Sequence, residues 1–151
     1  MKIIKYLSIL LISLSPILVI SCGDENDDTF IGEETSPSQN LSRPEFDKYL
    51  TTTTMSDVSL RCRFTNGGDT WENMKCTVHW RKYTSKPSST PKASDMNKHE
   101  SMRIYATTST KTTFDKTHTG FSGGNYVYYY FECSNSKYTA KTDVTYCIVK
   151  R

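Results

Sequence analysis

Residues 125–133 read NYVYYYFEC, and this stretch decides the fold. Tyrosine, valine and phenylalanine favour strands, and successive side chains of a strand point to opposite faces. One face of this segment carries Val127, Tyr129, Phe131 and Cys133, and the other carries Tyr126, Tyr128, Tyr130 and Glu132. We therefore predict the strongest strand of the chain here, with one face available to a core.

The same alternation recurs on both sides of this strand. Residues 57–64 alternate apolar residues with Ser59, Arg61 and Arg63, and residues 74–83 place Cys76, Val78 and Trp80 opposite Thr77, His79 and Arg81. Shorter strands are predicted at 102–107 and 112–121, and a last one at 138–149. Turn sequences such as 66–69 (NGGD) and a polar loop at 84–98 separate them. About seven strands with frequent turns predict an all-β sandwich for residues 43–151.

The N-terminus predicts export. Two lysines precede an uncharged run at 6–20, which is about 22 Å long as a helix at ~1.5 Å per residue and short of the ~30 Å membrane core. Residues 19–22 (VISC) resemble the lipobox of bacterial lipoproteins, in which the cysteine thiol receives a diacylglycerol before cleavage on its N-terminal side. We therefore predict a signal peptide at 1–21 and lipidation of Cys22. An uncleaved N-terminal anchor is the alternative.

An acidic segment follows the lipobox. Residues 22–42 hold six acids and no base, and they are rich in Ser, Thr, Pro and Asn, which predicts a flexible tether. The run at 23–28 (GDENDD) is similar to the signal that sends Bacteroidetes lipoproteins to the outer face of the outer membrane. That resemblance implies a surface location, while a solvated tether would explain the charge as well.

Residues 58–149 resemble the immunoglobulin and fibronectin type III-like domains of Bacteroidetes surface lipoproteins. The matching stretches are SLRCRFTNGG, CTVHWRKYTSKPSSTP, VYYYFECSNSKYTAKT and DVTYCIV. The resemblance implies a sandwich, and from the immunoglobulin domains it implies a Cys62–Cys133 bridge between the sheets. Cys76 and Cys147 then remain, either paired or reduced in the core. These cysteines are the departure from fibronectin-like relatives, which mostly lack them.

No catalytic constellation is visible in the sequence. His79, His99 and His118 are scattered, no cysteine spacing suits zinc, and no glycine-rich loop opens a helix. We therefore expect no enzyme, no catalytic residue, no metal and no cofactor. Residues 43–151 carry 17 Lys plus Arg against 10 Asp plus Glu, but the bases are dispersed. This favours ordinary solvated charge and no nucleic acid partner.

The positive functional feature is a tyrosine ladder. Tyr126, Tyr128 and Tyr130 are expected on the outer face of their strand, beside His79 and Arg81 of a neighbouring strand. Exposed aromatics next to hydrogen-bonding groups suit a glycan or a protein ligand. Tyrosines also pair across strands for stability alone. We predict a binding module anchored in the outer membrane through Cys22 and facing the exterior, or alternatively a structural accessory subunit of an envelope assembly.

Overall fold

A computed structural model of the chain describes residues 40–105 and 109–151. These residues belong to a compact unit that spans 36–151. The predicted signal peptide at 1–21, the predicted lipidation site Cys22 and all but the last three residues of the predicted tether at 22–42 lie outside the described residues.

The described part of the chain is built from strands. They are β1 (Phe46–Tyr49), β2 (Thr52–Thr53), β3 (Val58–Thr65), β4 (Lys75–Tyr83), β5 (Lys98–Ser101), β6 (Arg103–Ile104), β7 (Lys111–His118), β8 (Tyr126–Ser134), β9 (Thr139–Lys141) and β10 (Thr145–Ile148). Two single turns of 3₁₀ helix, Trp71–Asn73 and Ala93–Asp95, lie in the connections.

The strands form two antiparallel sheets. The first sheet has the order β1-β3-β7-β6, with β2 also paired to β3, and the second has the order β10-β8-β4-β5, with β9 also paired to β8. The inner faces of the two sheets enclose one core, as a sandwich requires. The predicted fold class is confirmed: the domain is an all-β sandwich, consistent with an immunoglobulin or fibronectin III-like fold.

The alternation read from the sequence sets the core. Val58, Leu60, Cys62 and Phe64 are completely buried along β3, and the residues between them are only partly buried. From β8, Val127, Phe131 and Cys133 are equally buried and face the first sheet. A one-residue slip in either strand would turn these side chains to solvent, so the pattern also fixes the register.

Two predicted elements differ from the structure. Lys98 ends the predicted polar loop and no element is predicted for residues 99–101, yet residues 98–101 form β5 on the edge of the second sheet. An edge strand with mostly exposed side chains has no need of apolar alternation, so its sequence, KHES, carries no strand signal. The predicted last strand is interrupted at Thr142 and forms β9 and β10. The Thr142 N–H donates to the Phe131 carbonyl, but the Phe131 N–H donates to the Thr142 hydroxyl and not to a backbone carbonyl.

The cysteines are arranged differently from the expected pairs. All four that the structure describes are free thiols, so the Cys62–Cys133 bridge is not formed in it. Cys76 lies directly opposite Cys133 across β4 and β8, whereas Cys147 lies opposite Val127 on the other side of β8. Val127 and Cys133, the partners of the two cysteines, are six residues apart on β8, which corresponds to about 20 Å. A Cys76–Cys147 disulfide is therefore wrong, and pairing of Cys62 with Cys133 stays a prediction.

The chain enters the sandwich through a close contact between backbones. The Ser42 N–H donates to the Gly67 carbonyl at 2.9 Å, and the Asn135 side chain donates to the Ser42 carbonyl at 2.8 Å. Gly67 has φ of 63°, and a Cβ on it would collide with that same Ser42 oxygen. Glycine is therefore needed at this position both for its conformation and for its lack of a side chain.

Candidate functional site

The tyrosine ladder exists, but it is covered. Tyr126, Tyr128 and Tyr130 do share the outer face of β8, and His79 and Arg81 are the register partners of Tyr130 and Tyr128. Tyr128 is only 3% exposed and Tyr130 8% exposed. The expected open aromatic platform is therefore wrong.

The cover comes from the loop between β4 and β5. Met96 is buried against Tyr128 and Tyr130 in a second apolar cluster, separate from the core. The Arg81 side chain holds this loop by donating to the Asp95 carbonyl at 3.2 Å. The loop was predicted to be polar from its composition, and the packing of its Met96 on the sheet was not predicted. Substitution of Tyr128 or Tyr130 would accordingly remove packing, so it would not report on a ligand.

A groove remains open where this loop meets the edge of the second sheet. It has a volume of about 290 Å³, and we call it the Trp80 groove. It is lined by Trp80, Arg81, Lys82, Asn97 and Lys98. Of these five, only Arg81 is a predicted site residue; Asn97 and Lys98 reach the groove through the unpredicted strand β5.

Trp80 is fixed in place at the end of the sandwich. Its indole Nε1 donates to the Glu100 carboxylate at 3.0 Å, and its ring packs on His118 with centroids 4.5 Å apart. Glu100 is also bridged to Lys116 at 3.3 Å. Burial opposes ionisation of Glu100, but the Trp80 hydrogen bond and the nearby cations together lower its pKa. The negative charge under the groove is thus already paired within the protein.

The cations of the groove have no such pairing. Lys82 and Lys98 are exposed, and no ion pair within 40–105 and 109–151 involves them or Arg81. Arg81 lies over the Tyr83 ring, 5.2 Å from its centroid, and Lys82 lies 5.7 Å from that of Phe121. The groove is lined from both faces of β4, with Trp80 on the core side and Arg81 on the outer side, and none of its three positive charges is in an ion pair, which suits an anionic ligand.

A second depression lies at the opposite end of β4. It has a volume of about 470 Å³ and is lined by polar groups: Glu72, Asn73, Lys75, Ser134, Asn135 and Ser136. Asp69 lies next to it, with its carboxylate accepting from Ser136 and Asn73 and exposed to only 6%. Since Asn73 and Ser136 donate to Asp69 and the Asn135 side chain bonds to Ser42 and Tyr138, we interpret this depression as a structural turn cluster.

Residues 40–105 and 109–151 lack two kinds of feature. Among them, no group of three or more His, Cys, Asp or Glu side chains is placed to hold a metal ion. No helix in that part of the chain has the length and apolar character needed to cross a membrane.

No family model and no curated protein matches the chain. Its fold is similar to parts of two solved proteins of Listeria monocytogenes. One is a cycloalternan-forming enzyme in complex with a pentasaccharide substrate, at 12% identity and a TM-score of 0.47. The other is an uncharacterised protein in complex with glucose, magnesium and calcium, at 12% identity and a TM-score of 0.46. Each match covers 64% of this chain and 8% of the other.

The prediction that the chain is not an enzyme is not upheld, because one of the two similar chains is an enzyme. Both matches have TM-scores below 0.5 and span 8% of each Listeria chain, so they assign no reaction to this protein.

Proposed function

We propose that this protein is an outer-membrane lipoprotein, anchored through Cys22 and facing the cell exterior, whose sandwich binds an acidic glycan in the Trp80 groove. The single observation that carries the binding role is the combination of an indole with three unpaired cations in one groove. The localisation is supported by the lipobox-like residues 19–22 and the acidic run at 23–28.

The groove favours a saccharide for chemical reasons. The indole face offers apolar contact to a sugar ring, and Asn97 offers an amide donor and acceptor for hydroxyl groups. The Arg81 guanidinium can form a bidentate pair with a carboxylate or sulfate, and the two lysines add point charges. A volume of about 290 Å³ accommodates one or two sugar rings more readily than a folded partner.

Binding is tested on an array of neutral, uronic acid-containing and sulfated oligosaccharides. We expect binding to acidic members alone, weakened by added salt. Lys82→Glu and Lys98→Glu should each weaken it at least fivefold, since both side chains are exposed and their substitution leaves the core intact. Lys137→Glu is the matched control, because Lys137 is exposed at the far end of the second sheet. Equal binding of neutral and acidic sugars, or an equal loss in the control, would refute the groove.

Anchoring is tested separately in the native host. The wild-type chain should incorporate labelled palmitate and lose residues 1–21, and Cys22→Ser should do neither. Surface exposure should appear as protease sensitivity of the tether in intact cells.

A second candidate, the accessory subunit, is favoured by a different surface. Tyr146 and Ile148 lie on the outer side of the edge strand β10, and each is 45% exposed. Side-by-side apolar residues on an edge suit contact with another protein. Chemical crosslinking in the host, compared between the wild type and Tyr146→Ser/Ile148→Ser, distinguishes this role, because the double variant leaves the Trp80 groove unchanged.

A further inference from the structure

Two histidines face each other on the outer surface of the second sheet. His79 on β4 and His99 on β5 are register partners, and their Nδ1 atoms are 2.6 Å apart. Two imidazole nitrogens approach this closely only with a proton or another cation between them, because two bare lone pairs repel each other. The sheet therefore presents two nitrogen donors that converge on one point.

Neighbouring side chains hold the His79 ring in place. Tyr130 is stacked on it with an interplanar angle of 2° and a centroid separation of 4.4 Å. The Glu132 carboxylate lies 3.7 Å from Nε2, on the other edge of the ring and beyond hydrogen-bond distance. Its negative charge on that side favours a proton on Nε2, which leaves the Nδ1 lone pair free to bind a cation.

The two rings differ in their freedom to move. His79 lies on the central strand β4 under Tyr130, whereas His99 is exposed on the edge strand β5, so its ring is free to adjust to an incoming ion.

We propose that His79 and His99 form a binding site for a divalent transition-metal ion. Imidazole pairs suit Cu²⁺, Ni²⁺ and Zn²⁺, and Cu²⁺ should bind tightest. Metal–nitrogen bonds of ~2.0–2.1 Å place two nitrogens on one ion about 2.9–3.3 Å apart. A shift of the exposed His99 ring by about half an ångström supplies that spacing. Because the described residues offer no cluster of three donors, the remaining positions on the ion are open to water or to a donor of another molecule.

The test is titration of the full-length, tag-free protein in detergent with CuSO₄ and with ZnCl₂, followed by calorimetry and, for Cu²⁺, by electron paramagnetic resonance. We expect one ion per chain and hyperfine structure from two nitrogens. His99→Ala should weaken binding by about tenfold or more, at least the loss that removal of an outer-shell partner causes. His79→Phe should have the same effect while retaining the stacking on Tyr130.

Matched variants separate this site from other donors. His118→Ala is the control, because His118 lies on β7 in the first sheet and packs on Trp80. Glu132→Gln should weaken binding less than His99→Ala does, since Glu132 acts on His79 only through its charge, at 3.7 Å from Nε2. The proposal is overturned if no ion binds, if the spectrum shows fewer than two nitrogens, or if His99→Ala binds as tightly as the wild type.

Discussion

Replacement of Asp69 by alanine should cost about a third of the stability of the domain. Asp69 lies in the turn between β3 and β4, and its carboxylate accepts from the Ser136 backbone N–H at 2.8 Å and from the Ser136 hydroxyl at 2.5 Å. Those two bonds join turns that are 67 residues apart. Hydrogen bonds to a charged group contribute about 1.5–3 kcal/mol each, so the lower value gives about 3 kcal/mol for the pair. A domain of this size has a total stability of only about 5–15 kcal/mol.

Urea unfolding monitored by tryptophan fluorescence measures this cost. With a slope of about 1.5 kcal/mol per molar, the midpoint should fall by about 2 M in Asp69→Ala. Asp143→Ala is the matched control, because Asp143 is exposed and accepts its hydrogen bonds through its backbone carbonyl. The reasoning is refuted if Asp69→Ala unfolds within 0.3 M (about 0.5 kcal/mol at that slope) of the wild type, or if the control moves as far.

The same carboxylate predicts a dependence on pH. The hydrogen bonds from Ser136 and Asn73 hold the pKa of Asp69 well below its ordinary value of 3.8. A group with a lowered folded-state pKa stabilises the protein above the ordinary value and loses this effect as the pH falls below it. The stability difference between the wild type and Asp69→Asn should therefore be constant from pH 7 to about 5 and shrink below about 4. A difference that grows on acidification would contradict this assignment.

Three further outcomes are expected. Gly67→Ala should destabilise the domain by more than about 2 kcal/mol, whereas Gly120→Ala should destabilise it by about 1 kcal/mol. Both glycines have positive φ, but only at Gly67 would the added Cβ meet a backbone oxygen. Equal urea midpoints for the two variants would refute the contact. Met96→Ser should uncover the outer tyrosines and make residues 84–97 cleavable by trypsin before global unfolding, which mass spectrometry of the fragments checks. Non-reducing peptide mapping of the oxidised protein should find no link between Cys76 and Cys147, and recovery of that link would disprove the strand register.

The sandwich was predictable because its signal is local. The alternation of apolar and polar residues in β3, β4 and β8 indicates which side chains face the core. The pattern is strict because each of these strands is paired on both sides. The site was not predictable for the opposite reason. Lys98 belongs to a polar edge strand without a pattern, and Met96 covers Tyr128 only because a loop folds back on the sheet. Contacts of that kind depend on tertiary structure, which periodicity does not encode.

The chain enters the domain beside Gly67, and this contact distinguishes one end of the sandwich from the other. Ser42 is tied to Gly67 and Asn135 at the end where β4 begins, opposite Ser134. Trp80 lies five residues further along β4, about 17 Å away from that end. The domain thus receives the chain at one pole of the sandwich and presents the cations of the Trp80 groove at the other.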